Sequence, residues 1–446
     1  MIERSRKNSD SRHLAAALAV LALLIAFPVA ATVGPDVTVI TLGSTSNWGA
    51  VGGIRAYSVG TTSCNIGDQP VAWCDAASCL GGQLDRNDHP VIAQNLYRLK
   101  DGRFEQIGMS WLKHGWLSTN SNPNGACNGG PCEIPPGGGD QLGVGCTDTY
   151  GSGLNGGSGN PGTCDGASGE GCRLGQRSVV NASNGDFAMP YPDITHPTVI
   201  HQRIQVNEND VNPALNAGAT YWVEGQYIAA DDAAAGNAHN NASYRRVTVG
   251  ASPFNLSLQD STVREKSAIY AWKAADSGVE LFNLDIETHG GSAERFEVGR
   301  RITETSPGTW HYEYVIRNMN SDRSAQAFSI DLPDGTVITN AGFKDIDHHS
   351  GEPYSTTDWS IDIDVPTSTI TWFGDTFATS ANANALRFAT MFNFWFDADQ
   401  LAWINEHTLT YFKPGSPSSA TFIFDIFSDG FESGGLGSWS QAVSGE

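Results

Sequence analysis

Basic residues are scarce in this chain: 26 lysines and arginines stand against 48 aspartates and glutamates, a net charge of −22 over 446 residues. That balance excludes a nucleic-acid duplex or an anionic membrane surface as the expected partner, because phosphate recognition needs clustered cations. Familiar catalytic signatures are missing too. There is no G-x-S-x-G elbow, no H-E-x-x-H pair and no P-loop, so the hydrolase, zinc-protease and nucleotidase classes that those motifs define lose their support. Beyond Phe27 no apolar run is long enough to span a bilayer as a helix. No repeat recurs at a fixed period, which argues against a β-propeller.

What is present begins at the N-terminus. Arg4, Arg6, Lys7 and Arg12 precede an apolar run from Leu14 to Phe27 and the small residues of Pro28-Val29-Ala30-Ala31. This is the pattern of a signal peptide over residues 1–31, and the expectation is an exported protein (secreted, periplasmic or cell-surface). All the cysteines, Cys64, Cys74, Cys79, Cys127, Cys132, Cys146, Cys164 and Cys172, lie in one third of the chain. An even number of cysteines after a signal peptide predicts disulfides, although eight allow about 105 pairings and the spacing selects none. Acidity of this degree suits a bound cation, calcium above all, and serves solubility equally well.

The best-specified stretch is Asp85 to Trp116. Its two apolar-rich runs, Val91 to Leu99 and Phe104 to Leu112, flank Asp101-Gly102, the strongest short signal for a type I′ hairpin. With that turn, Arg98 is expected opposite Glu105, Leu96 opposite Ile107 and Gln94 opposite Met109. Antiparallel pairing also draws the open ends together, so Asp85, Asp88, His89 and His114 form a candidate polar site at the hairpin base.

Taken in order, the chain reads as mainly β, with two β-sandwich-like domains. The first, residues 32–275, carries a cysteine-rich loop over 64–185 that is too poor in apolar residues to build its own core and needs disulfide staples. The second, 276–427, shows strict alternation in Trp310 to Asn318 and in Trp359 to Val365. Ser267 to Ala275 has helical propensity at the junction, and 428–446 is a Gly/Ser-rich flexible tail.

Two further clusters carry candidate chemistry. Asp345, Asp347 and His349 share one side if their segment is extended, giving two carboxylates and an imidazole for one metal ion, with His348 beside them as acid or base. In Met391 to Asp397, Asn393, Trp395 and Asp397 share a face of the type on which a sugar ring stacks while its hydroxyls meet polar groups.

The hairpin, the GATYWVEGQYIAADDAAAGNAHNNASYR stretch, GFKDIDHHSGEPYSTTDW and ANALRFATMFNFWFDAD together resemble an uncharacterised family of exported, β-rich bacterial proteins with a short DGFESG-type C-terminal tail. That family has no assigned activity, so the resemblance transfers no site residue, and the Cys74 to Cys79 loop departs from its pattern. The expected function is an extracellular or surface-interaction protein binding a glycan or surface polymer with calcium assistance. The competing expectation is a metal-dependent enzyme acting on extracellular polymers.

Overall fold

The computed structural model describes residues 31–73, 89–115, 117–153, 175–187, 198–286, 293–349, 351–402 and 405–424. Cys74, Cys79, Cys164, Cys172, Asp85, Asp88, residues 1–30, where the signal peptide is expected, and the C-terminal tail lie outside them.

Among the described residues the chain is mainly β, and the central hairpin is where the reading from sequence can be checked residue by residue. Strands β4 (Val91–Lys100) and β5 (Arg103–Met109) pair antiparallel around Asp101 and Gly102, whose φ angles of 52° and 87° are both positive. A type I′ turn requires that pair of signs, and its twist matches the flanking strands. Arg98 lies opposite Glu105 and Leu99 opposite Phe104, as the turn dictates. The register then slips at a bulge between Leu96 and Tyr97, which places Leu96 opposite Gly108 and Asn95 opposite Met109. The expected pairs Leu96 with Ile107 and Gln94 with Met109 are therefore replaced. Gly108 explains the local crowding, because a Cβ there would stand 2.8 Å from the Gln205 carbonyl oxygen on the neighbouring strand.

The hairpin is central to a ten-stranded sheet. Its path runs β1 (Val37–Val51), β2 (Ile54–Asn65), β9 (Ile204–Asn207), β5, β4, β10 (Thr220–Ile228), β11 (Ala242–Val249) and β12 (Leu256–Leu258). The short strands β6 (Lys113–His114) and β8 (Thr147–Tyr150) attach to β4 and β2, and β3 (Val71–Ala72) pairs with β7 (Gln141–Leu142). One face buries Val37, Val39, Tyr57, Ile92, Leu96 and Val223. Helix α1 (Glu208–Val211) follows β9, with the Asn207 side chain accepting from the Asn209 N–H as its cap. Helix α2 (Ala230–Ala234) follows β10, and α3 (Ile269–Ala275) closes this half.

After Ala275 the strands change partners. A five-stranded sheet runs β13 (Glu280–Ile286), β14 (Glu294–Ser306), β15 (Thr309–Asn318), β20 (Met391–Ala398) and β17 (Ile338–Lys344). A second runs β18 (Ser360–Asp364), β19 (Thr369–Phe373), β16 (Ala325–Asp331), β21 (Glu406–Tyr411) and β22 (Ser419–Ile423). One aromatic core joins them: Tyr312, Tyr314, Phe394 and Phe396 from the first sheet meet Phe328, Trp372 and Phe422 from the second. Tyr312 stacks on Phe396 at 4.5 Å and Phe328 tilts against Phe394 at 5.1 Å, and such aromatic pairs add about 0.5–1.5 kcal/mol each beyond their area burial.

The ten-stranded sheet and the β13–β17 sheet share a buried seam. Tyr97, Phe104 and Trp222 pack there with Trp272 of α3, Val315 and Met391. Within the seam Arg317, fully buried, contacts Glu224 of β10 at 2.9 Å and Glu297 of β14 at 3.0 Å. This ion triad ties the two halves and fixes how the hairpin faces the C-terminal strands.

Candidate functional site

A cleft of about 360 Å³ opens along that seam. Its N-terminal wall is built by Ile54, by Gln106 and Ile107 of β5, by Gln205, Val206 and Asn207 of β9, and by Asp210 of α1. The opposite wall is the end of β17 and the residues after it, Phe343 to His348, together with Asp358. Ile54, Ile107, Val206, Phe343 and Ile346 are its apolar members, and carboxylates and amides predominate among the polar ones.

The charges in this cleft do not cancel internally. Asp210 is tied to Arg98 at 3.0 Å, and the Lys344 ammonium lies 3.6 Å from Glu105. Asp345, Asp347 and Asp358 have no ion-pair partner among the described residues. Burial pushes the Asp345 carboxyl up to about 6; the Asn384 amide that donates to it works against this shift, and the charges of Asp358 and Asp347 add to it. Burial, reinforced by the charges of Arg387 and Arg177, drives His348 down to about 3, so it is a neutral imidazole in the wall.

Asp345, Asp347 and His349 do not form the expected metal centre. Strand β17 ends at Lys344, so the alternation that would align the three side chains is lost over 345–349. His349 instead is buried against β5, where its Nε2 donates to the Met109 carbonyl at 2.5 Å and its ring lies 6.3 Å from Trp111. Among the described residues no three His, Cys, Asp or Glu side chains are placed to hold a metal ion.

The expected sugar platform is occupied by the protein itself. The Arg103 guanidinium covers the Trp395 ring at 3.6 Å, and a Cβ on Gly342 would come within 2.1 Å of the same indole. Asn393 donates to the Phe104 carbonyl at 2.9 Å, while Asp397 accepts from His311 at 2.7 Å and from Asn340 at 3.0 Å. Sequence alternation placed these side chains on a common face correctly. It could not show that the hairpin of the other half packs over that face.

His89 and His114 do meet at the hairpin base, Nε2 to Nδ1 at 2.9 Å, but both are buried and stand edge-on to Phe187 at 5.0 and 4.8 Å. Burial, followed by the charges of His89 and Lys113, holds His114 well below the usual imidazole range. Lys113 is equally enclosed: burial lowers its ammonium to about 7, it donates to the His114 carbonyl at 3.0 Å, and it lies 3.4 Å from the Tyr150 ring centroid. Among the described residues this end of the hairpin is packed against Phe187 and Tyr150.

The Trp395 face carries a titratable latch. Arg103 binds Glu313 through two hydrogen bonds of 2.7 and 2.9 Å, and His311 bridges Glu313 and Asp397. The bond to Glu313 raises His311 above its usual value against the opposing effect of burial, and Asp397 raises it further. The stability that protonated His311 supplies is thus complete below about 6.5 and disappears as pH rises through the higher folded value. The urea midpoint of the wild-type protein should fall across that window relative to that of His311→Gln; parallel profiles for the two proteins would refute the latch.

Gln106, Gln205, Asn207, Asp210 and Asp358 escaped sequence reasoning. Asn207 and Asp210 belong to an Asx-rich turn, and the others carry no local signal; only the meeting of β5, β9 and the segment after β17 makes them one site. Comparison with protein-family models and with curated proteins returns no match for this chain.

Proposed function

We propose that this protein is exported and binds an extracellular glycan bearing free amines, seated in the cleft between β5, β9 and the segment after β17. The carrying observation is the cleft's composition: three carboxylates, Asp345, Asp347 and Asp358, lacking a cationic partner among the described residues, together with the amides of Gln106, Gln205 and Asn207 and the apolar Ile54, Ile107 and Phe343. Apolar sugar faces suit the apolar lining, hydroxyls suit the amides, and an ammonium meets the unmatched charge. Export is supported by the N-terminal pattern and by the Cys64–Cys127 and Cys132–Cys146 disulfides.

Calorimetry on the full mature chain, with and without calcium, tests this with a glucosamine oligosaccharide, its N-acetylated counterpart and a uronic-acid oligosaccharide. The glucosamine form is expected to bind best. Asp347→Asn with Asp358→Asn, both exposed positions, should weaken binding on the order of tenfold, the loss expected when charge-assisted hydrogen bonds are removed. Affinity should also fall as pH drops through about 6, where Asp345 takes up its proton. Silence toward all three sugars, or a preference for the uronic acid, would sink the reading.

A second reading is favoured by Asp345 alone. A carboxyl raised to about 6 and flanked by other carboxylates fits the acid of a glycan-cleaving pair. New reducing ends released by the wild-type chain and absent with Asp345→Asn would establish cleavage, and their absence leaves binding.

A further inference from the structure

We propose that a small cavity behind His348 is a binding site for a monatomic anion of the chloride class. The cavity measures about 30 Å³, room for one particle of water size, and Arg177, Ser178, His348, Tyr354, Arg387 and Lys413 are in its wall. Asp322 also lines the cavity, and its charge is matched by Lys413 at 2.7 Å. The two guanidiniums are not so matched: Arg177 is 5 % and Arg387 6 % exposed, and neither is within ion-pair distance of a carboxylate among the described residues.

The side-chain hydrogen-bond partners of these arginines are neutral groups that orient them. Arg177 donates to the carbonyls of Ser110 at 2.7 Å and Ala389 at 3.0 Å and to the Asn95 side chain at 2.9 Å. Glu352 accepts from the backbone N–H groups of Arg177 at 2.6 Å and Ser178 at 3.3 Å, and its charge offsets part of that of the two guanidiniums from beyond ion-pair distance. Arg387 is held between the rings of Tyr354 at 3.5 Å and Phe412 at 4.8 Å and donates to the Ala381 and Ala383 carbonyls.

Two nitrogens in this wall have no hydrogen-bond partner among the described residues: Nε of Arg387 and Nε2 of His348, both buried. A water molecule would satisfy their hydrogen bonds and leave the charge. An anion answers both needs, and a buried, unmatched charge is the costlier of the two. Burial lowers both guanidiniums, Arg177 to about 10, as expected where counter-charge is short. Because His348 also lines the cleft, an ion here would brace the cleft wall.

The test uses the full mature chain at fixed pH and ionic strength. Thermal unfolding is followed in sodium chloride, bromide, fluoride and gluconate, and crystals grown in bromide are examined by anomalous diffraction. Chloride and bromide should raise Tm by a few degrees in a saturable manner, and Arg387→Gln should lose that increment. Bromide should scatter from a point between Arg177 and Arg387. Identical Tm in all four salts, or a bromide map without a peak in the cavity, overturns the proposal; the wild-type map decides even if Arg387→Gln fails to fold.

Discussion

Arg317→Met should destabilise the fold by about 3–5 kcal/mol, the cost typical of removing one partner from a buried ion pair. The guanidinium lies between Glu224 and Glu297 and also donates to Gln226 at 2.6 Å, at a point sealed from solvent. Burial works to raise Glu224, but Arg317, the Ala268 N–H and Asn95 outweigh it and hold the carboxyl below its usual value. Burial raises Glu297 despite Arg317 and the Ser267 hydroxyl, and the neighbouring Glu224 charge adds to the shift. Without the cation, two carboxyls remain in the seam with only neutral donors.

The pH dependence supplies a sharper check, because its sign should invert. In the wild-type protein Glu224 is depressed, so its contribution is present above the unfolded carboxylate value of about 4.5 and is lost as pH falls through the folded one. In Arg317→Met the burial of Glu224 is opposed only by neutral donors such as the Ala268 N–H and Asn95, its folded value rises, and acidification through that raised value should recover stability. Urea unfolding at several pH values distinguishes the two slopes. Replacing all three members by apolar residues should return much of the loss, since buried triads are often dispensable as a set. A single variant costing under about 1 kcal/mol would show that the seam does not depend on the triad.

The strands were legible because their signals are local. Asp101-Gly102 set the turn, and the alternation of Trp310, Tyr312, Tyr314 and Ile316 marked a strand whose Tyr312, Tyr314 and Ile316 lie in the aromatic core. Alternation says less about what covers a face. Asp362 and Asp364 are exposed on β18, as the alternation of Trp359 to Val365 implies, but Ile361 at 37 % exposed and Val365 at 73 % are also on the surface, because β18 is an edge strand. Trp395 illustrates the opposite case, an apparent surface ring covered by Arg103 from a strand nearly three hundred positions earlier, ~290 by count. The cleft was the least legible feature. Its acids were noticed at Asp345 and Asp347, whereas the wall that makes them a site comes from β5, β9 and α1, and long-range pairing of that type leaves no periodic trace.

Loss of the Cys64–Cys127 bridge should cost about 4 kcal/mol and loss of Cys132–Cys146 about 3 kcal/mol, if each acts by limiting the unfolded chain. The difference follows from the loops closed, with sequence separations of 63 and 14. Cys64 lies at the end of β2, opposite Thr147 of β8, so its bridge fixes the glycine-rich loop to the main sheet. That loop has little apolar burial of its own: Cys127, Leu142, Cys146 and Tyr150 are its buried hydrophobic residues between Leu117 and Gly153. Yet the rest of the fold uses it, since Tyr150 accepts a hydrogen bond from the Trp73 indole at 3.1 Å and covers the Lys113 ammonium, and Asp148 receives two bonds of 2.9 Å from Thr119. In Cys64→Ser with Cys127→Ser, proteolysis should therefore begin between Leu117 and Cys146 well below the global unfolding temperature, and the urea midpoint should fall further than in Cys132→Ser with Cys146→Ser. Equal midpoints, or first cleavage elsewhere, would mean that the loop is held by its hydrogen bonds and that the long bridge adds no stability of its own.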